Sequence, residues 1–330
     1  MLRVRNISFN YPSQKHFPGI RNFSFDLDRS EVLAILGKSG SGKTTLLKCI
    51  YGLEDVSSGS ITIDEDPVLG PSQQLIPGHP DMKLVSQDYY VLDNHTVREN
   101  IFDRMTGIRD DEKSRRASRL MKLLELTALA DSRAKMLSSG QKQRVAIARA
   151  LAVMPKVLLL DEPFNNLDRL ISDRLISFIV SEVKKKKCAL ILITHVAEEA
   201  LRYADSVIVM DKGKIVQEGR TWEVYDNPRN SRLAGLFGAY NVLRKEDLAS
   251  TSRLNMQRAK VFVRPDRINP SAGKSDADLS ITVRSSVYNG KCYELGGETA
   301  AGNYVTVYHD RPVAEGEIAW LRLRERQTGE

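Results

Sequence analysis

The chain has 330 residues, 42% of them hydrophobic, enough for a packed core in one large domain with a small companion or in two medium domains. Its 49 basic residues face 42 acidic ones spread along the chain, a formal charge of +7 that does not single out nucleic acid as a partner. No apolar run approaches the roughly 20 residues that span a bilayer, the N-terminal MLRVRNISFNYP lacks the apolar core of a signal peptide, and Cys49, Cys188 and Cys292 lack metal spacing, so a soluble chain in a reducing compartment is expected.

Taken in order, the first feature is Tyr11 in SFNYP, an aromatic beside a turn at Pro12. The apolar run Val32 to Leu36 then predicts a strand, and Thr44 to Leu53 predicts a helix. Between them Gly37, Lys38, Ser39, Gly40, Ser41, Gly42, Lys43, Thr44 and Thr45 spell G-x-x-x-x-G-K-[ST] in the strand-loop-helix context that this phosphate-binding motif requires. Glycines let backbone N–H groups turn toward phosphates, the helix N-terminus adds partial positive charge, Lys43 reaches the outer phosphates, and Thr44 offers a hydroxyl to magnesium.

Gln87 follows a further strand, and the aromatic-rich Tyr89, Tyr90, Val91 and Leu92 come next. A helical insert is expected from about Arg98 to Ala130, with Leu120, Leu123, Leu124 and Leu126 marking its apolar face. Leu137 to Gln141 reads LSSGQ and feeds a helix carrying Val145, Ala148, Leu151 and Ala152. Val157 to Leu160 reads as a central parallel strand ending at Asp161, where an acidic residue holds magnesium and the adjacent Glu162 can take a proton from an attacking water. FNNLD, Phe164 to Asp168, follows. The run Lys184 to Lys187 reads as a solvated helix terminus, and Ala189 to Thr194 as another strand, closed by His195.

These motifs, in this order, resemble the ATP-binding cassette ATPases. The family signature is LSGGQ; here Ser139 replaces a glycine, which would be mildly strained if the position needs a positive φ. The resemblance implies an α/β P-loop NTPase cassette with a helical signature subdomain at about 88–150. It also implies that Tyr11 stacks on adenine, that Gln87 and His195 contact magnesium, the attacking water and the γ-phosphate, and that Thr44, Gln87 and Asp161 hold Mg2+. Glu162 becomes the catalytic base. Ser138, Ser139, Gly140 and Gln141 would reach the ATP of a second cassette paired head to tail, and Tyr89 to Leu92 would border the groove for a membrane subunit.

Beyond residue 240 the periodicity changes. Lys260–Arg264, Leu279–Val287, Lys291–Leu295, Tyr304–His309 and Ile318–Leu323 read as short strands, with turns at Pro270, Asn289-Gly290, Gly296-Gly297 and Gly302-Asn303. FGAYNVL and VFVRPDRI resemble the entry to the transport-associated OB domain of import ATPases. The expected division is therefore 1–238 for the nucleotide-binding domain and 239–330 for a small all-β OB-like barrel. The resemblance implies a homodimer joined by ATP, two integral-membrane permease subunits, a substrate-binding protein and a place on the cytoplasmic face of the cell membrane. Iron, polyamine, inorganic anion and sugar all stand as cargo, and an exporter-type or a soluble cassette remains the alternative.

Overall fold

The computed structural model describes residues 1–11, 19–86, 90–165, 168–249 and 259–324. The chain divides into two compact units, Met1–Thr221 and Trp222–Glu330. In the first unit the order is β1 (Leu2–Phe9), β2 (Ile20–Leu27), β3 (Val32–Gly37), α1 (Lys43–Tyr51), β4 (Ser58–Ile63), β5 (Asp66–Pro67) and β6 (Met82–Val85). Helices α2 (Val97–Phe102), α3 (Asp110–Leu123) and α4 (Ser139–Leu151) follow, then β7 (Val157–Asp161), α5 (Arg169–Lys186), β8 (Ala189–Ile193), α6 (Ala197–Tyr203), β9 (Ser206–Asp211) and β10 (Lys214–Arg220).

Two sheets sandwich one apolar layer. The larger has the order β10-β9-β3-β8-β7-β6, with β3, β6, β7, β8 and β9 parallel and only β10 antiparallel. Its central strands are buried on both faces, which is why they read as unbroken apolar runs. The period of two still sorts their side chains: Leu33, Ile35, Leu159 and Ile191 pack with α1 and β1, while Leu158, Leu160, Leu190 and Leu192 join the core of the helical segment. The second sheet, β2-β1-β4-β5, is antiparallel. Its alternation is interrupted at Asn6 and Asn22, both at positive φ, where the register of β1 against β2 slips. Asparagine tolerates that conformation better than most residues, and the slips kept these strands out of the sequence reading.

Between β6 and β7 the described chain forms helices, with the expected insert split in two. The Thr96 capping box starts α2, and α3 ends at Leu123, just short of the buried Leu124 and Leu126. The buried Asn100 ties α2 to the preceding loop through bonds to Leu92, His95 and Thr96. The Lys184 to Lys187 run is the C-terminus of α5, with Lys187 as its left-handed cap.

The second unit opens with α7 (Thr221–Asp226, straddling the division) and α8 (Ser231–Leu236), followed by β11 (Asn241–Arg244), β12 (Lys260–Val263), β13 (Ile268–Pro270), β14 (Leu279–Tyr288), β15 (Tyr293–Glu298), β16 (Tyr304–His309) and β17 (Ile318–Leu323). The antiparallel order β13-β17-β14-β15-β16 brings its end strands β13 and β16 close together, giving a small OB-like barrel around Leu279, Ile281, Val283, Leu295, Val305, Val307 and Leu321. Two strands escaped the periodicity. β11 is four residues long, and β13 contains Pro270, which sits in an edge strand paired with Leu321 where a turn was expected.

The division at 221/222 falls before the expected 238/239, and Arg264 supplies a physical reason. Its buried guanidinium donates to the carbonyls of Ala234, Gly238, Ala239 and Tyr225 and lies 4.3 Å from the centroid of the Tyr225 ring. These bonds fasten α7 and α8 to the β-rich segment.

Candidate functional site

The phosphate loop is fixed by close backbone approach. A Cβ on Gly37 would lie 2.6 Å from the Met210 carbonyl and 2.6 Å from Ser41 Oγ, so the last residue of β3 has no room for a side chain. Gly42 sits at φ 101 as the N-cap of α1, a conformation that L side chains rarely adopt. Lys43 is 6% exposed, and its ammonium donates to the carbonyls of Gly37 at 2.9 Å and Lys38 at 3.2 Å, folding the side chain back over the loop. Burial pushes its pKa down, against the pull of Glu162 and Asp161.

Strand register brings the acidic groups to this loop. Ile35 pairs with Ile193 and Ile193 with Asp161, so the chain leaves β3, β8 and β7 at one level of the sheet. Asp161 is 2% exposed; burial raises its pKa, and a hydrogen bond with Thr44 opposes the rise. Its Oδ1 is buried without a hydrogen-bond partner, as is Ser41 Oγ. An anionic oxygen without a donor, beside a threonine hydroxyl, fits the oxygen chemistry of magnesium.

Glu162 occupies the centre of the group. One carboxylate oxygen lies 4.0 Å from Lys43 Nζ and the other 3.5 Å from His195 Nδ1. Its backbone stands at φ 47, uncommon for glutamate, and its N–H donates to the Ile193 carbonyl at 3.0 Å. The Asn165 side-chain amide donates a hydrogen bond to the Glu162 carboxylate. Sequence reasoning missed Asn165 because its role depends on the left-handed turn at Glu162; the sequence signal available was a short polar residue three positions on.

Tyr11 lies beside α1: its hydroxyl and Thr45 Oγ1 are 2.8 Å apart, and its ring packs edge-on against Phe9 at 4.8 Å. Asp168 caps α5 through Leu170 N–H. Gln87 and Tyr89 lie outside the described residues.

Among the described residues, the signature loop does not join this constellation through its hydrogen bonds. Ser138 and Gln141 close on each other in a capping box at the start of α4. Ser139 is the first residue of that helix and has no positive φ, so the strain foreseen for a serine there does not arise. Gly140 follows in the first turn.

A strand-loop-helix phosphate cradle, a magnesium-type aspartate and a glutamate at one sheet rim, with a capped LSSGQ helix beside them, define a P-loop ATPase of the cassette class. A family model described as ABC transporter matches residues 20–165. The chain is 38% identical over 251 residues to the sulfate/thiosulfate import ATP-binding protein CysA of Pseudomonas syringae pv. tomato, covering 73% of this chain and 74% of that protein. It is 31% identical over 320 residues to the CysA of Mesostigma viride, covering 94% and 90%. Among solved structures it is similar to an ATP-binding subunit of an ABC transporter, with a TM-score of 0.61 at 28% identity over 72% of this chain and 95% of the other. A dimeric ATP-binding cassette in a post-hydrolysis state, bound to ADP and Pi, gives 0.59 at 25% identity over 67% and 99%. The chain belongs to the ATP-binding cassette transporter family, and it is an ATPase.

Proposed function

We propose that this chain is the energising subunit of an importer for a small inorganic oxyanion of the sulfate class, working as a pair of cassettes that close on ATP. The observation that carries the catalytic part is the convergence of Lys43, Asp161, Glu162 and His195 at one rim of the parallel sheet. In this reading the loop N–H groups and Lys43 hold the β- and γ-phosphates, and Glu162 takes the proton of the attacking water. His195 contacts the γ-phosphate and orients the Glu162 carboxylate. Bound magnesium supplies positive charge to the phosphates, with Thr44, Asp161 and Gln87 as the residues to hold it.

Ser138, Ser139, Gly140 and Gln141 are assigned to the ATP of the opposite cassette, because the positive end of a helix favours phosphate and the capping box engages only the loop's own residues. Hydrolysis then removes the γ-phosphate contact and the halves part. The similarity to the Mesostigma viride protein extends over 94% of the chain, which supports assigning the C-terminal unit the transport-associated role of such subunits. The oxyanion assignment rests on the names of the relatives.

Two permease subunits and a substrate-binding protein complete the reading and place the chain on the inner face of the cell membrane. Among the described residues no helix is long and apolar enough to cross it. A cavity of about 140 Å3 lined by Tyr51, Lys83, Tyr90, Arg104 and Arg149 suits an acidic side chain on a docking helix of the permease. Burial and then Arg104 lower the pKa of Lys83 there. Reconstitution tests the assignment: vesicles holding the copurified complex should take up sulfate with ATP and not with a Lys43→Ala chain. Copurification with an export permease or with ribosomes would overturn it.

A further inference from the structure

Gln143 is a buried amide that the nucleotide chemistry does not use. It lies on α4, three residues beyond Gly140, and is 4% exposed. Its Nε2 donates to the Pro163 carbonyl at 2.7 Å, and its Oε1 is buried without a partner. Pro163 follows Glu162 directly, so one hydrogen bond connects the helix that begins with the signature loop to the loop that carries the base.

The energetics make that bond consequential. Glu162 at φ 47 is in a conformation that persists only when its surroundings over-determine it. The restraints are its own N–H on Ile193, the Asn165 amide on its carboxylate and the Gln143 amide on the next carbonyl. The Ser138–Gln141 capping box makes the signature loop continuous with the first turn of α4, so a displacement at Ser139 or Gly140 carries to Gln143.

We propose that Gln143 is a positioning residue that couples the signature loop to the Glu162 carboxylate of the same chain. Contact between this chain's signature loop and the opposite cassette's ATP then tightens this chain's own base, and the two sites hydrolyse cooperatively. The inference rests on the head-to-tail reading given above. It assigns the cis route by which one nucleotide reports to the other site.

Gln143→Met keeps length and apolar packing but removes the donor. Loss of one such bond should lower kcat about tenfold, with ATP affinity and ATP-driven dimerisation retained. The Hill coefficient for ATP should fall toward one. In the Glu162→Gln background the same change should cost no further hydrolysis, because a residue that acts only through Glu162 has nothing left to position.

An additive loss in that background, an unchanged kcat, or a Hill coefficient equal to wild type would overturn the proposal. If Glu162→Gln chains fail to dimerise with ATP, the head-to-tail reading has failed instead. A second readout needs no change at position 143: in the Glu162→Gln chain, the Asn165 amide, whose N–H points at the Glu162 carbonyl, should exchange more slowly once ATP is added. Equal exchange with and without nucleotide would contradict the coupling.

Discussion

His195 Nδ1 stands 3.5 Å from Glu162 Oε2, and the two residues come from the ends of neighbouring parallel strands, β8 and β7. In the proposed function this pairing orients a carboxylate whose other oxygen lies 4.0 Å from Lys43 Nζ. Glu162→Gln should leave ATP binding intact and lower hydrolysis by about two to four decades, the usual cost of losing a general base. Removing the imidazole with His195→Ala should cost about a hundredfold in kcat. Steady-state hydrolysis beside nucleotide titration checks both, and undiminished turnover in either variant removes that residue from the mechanism.

Lys43 should separate from these two. Its ammonium is held over the loop by the Gly37 and Lys38 carbonyls, so Lys43→Ala removes the buried charge proposed to meet the phosphates and should weaken ATP binding itself, by about tenfold or more. Fluorescence titration with a labelled ATP analogue reads it. Unchanged affinity would undercut the phosphate-loop assignment.

The C-terminal unit offers a test of the domain division. A chain ending at Thr221 should fold and bind ATP, since the motifs assigned to the phosphates lie upstream. The separate segment 222–330 should melt cooperatively, and Arg264→Met within it should lower the midpoint by about 10 °C, because four carbonyls lose their buried donor. A midpoint within a degree or two of the parent would show that Arg264 does not fasten the helices to the barrel.

Two thiols report on the core. Burial pushes the pKa of Cys49 and of Cys188 up to about 12. Both should stay protonated and resist alkylation near pH 8, while the partly exposed Cys292 reacts. The linkage follows the same sign: unfolded thiols ionise first, so folding stability is full below about pH 9 and declines as pH rises from there toward 12. A thiol count with Ellman's reagent of one in the native chain and three in denaturant is expected, and three native thiols would contradict the packing.

Much of this was legible before the fold was known. Asp161 and Glu162 could be read because they sit where a buried apolar strand ends, the plainest signal of a parallel sheet, and Lys43 because it belongs to the G-x-x-x-x-G-K-[ST] spacing that opens α1. Tyr11 could be read only through the resemblance, since nothing in SFNYP specifies Thr45 as a neighbour. The hidden part depended on long-range pairing. Asn6 and Asn22 broke the alternation of β1 and β2, Arg264 gathers carbonyls from residues 225–239, and the roles of Asn165 and Gln143 exist only because Glu162 turns left-handed.

Sedimentation velocity of the Glu162→Gln chain with magnesium decides whether two cassettes close on ATP. With ATP the chain should move as a dimer joined by two nucleotides, and with ADP as a monomer. A sedimentation coefficient that is the same with ATP, with ADP and without nucleotide would contradict a cassette pair closed by ATP.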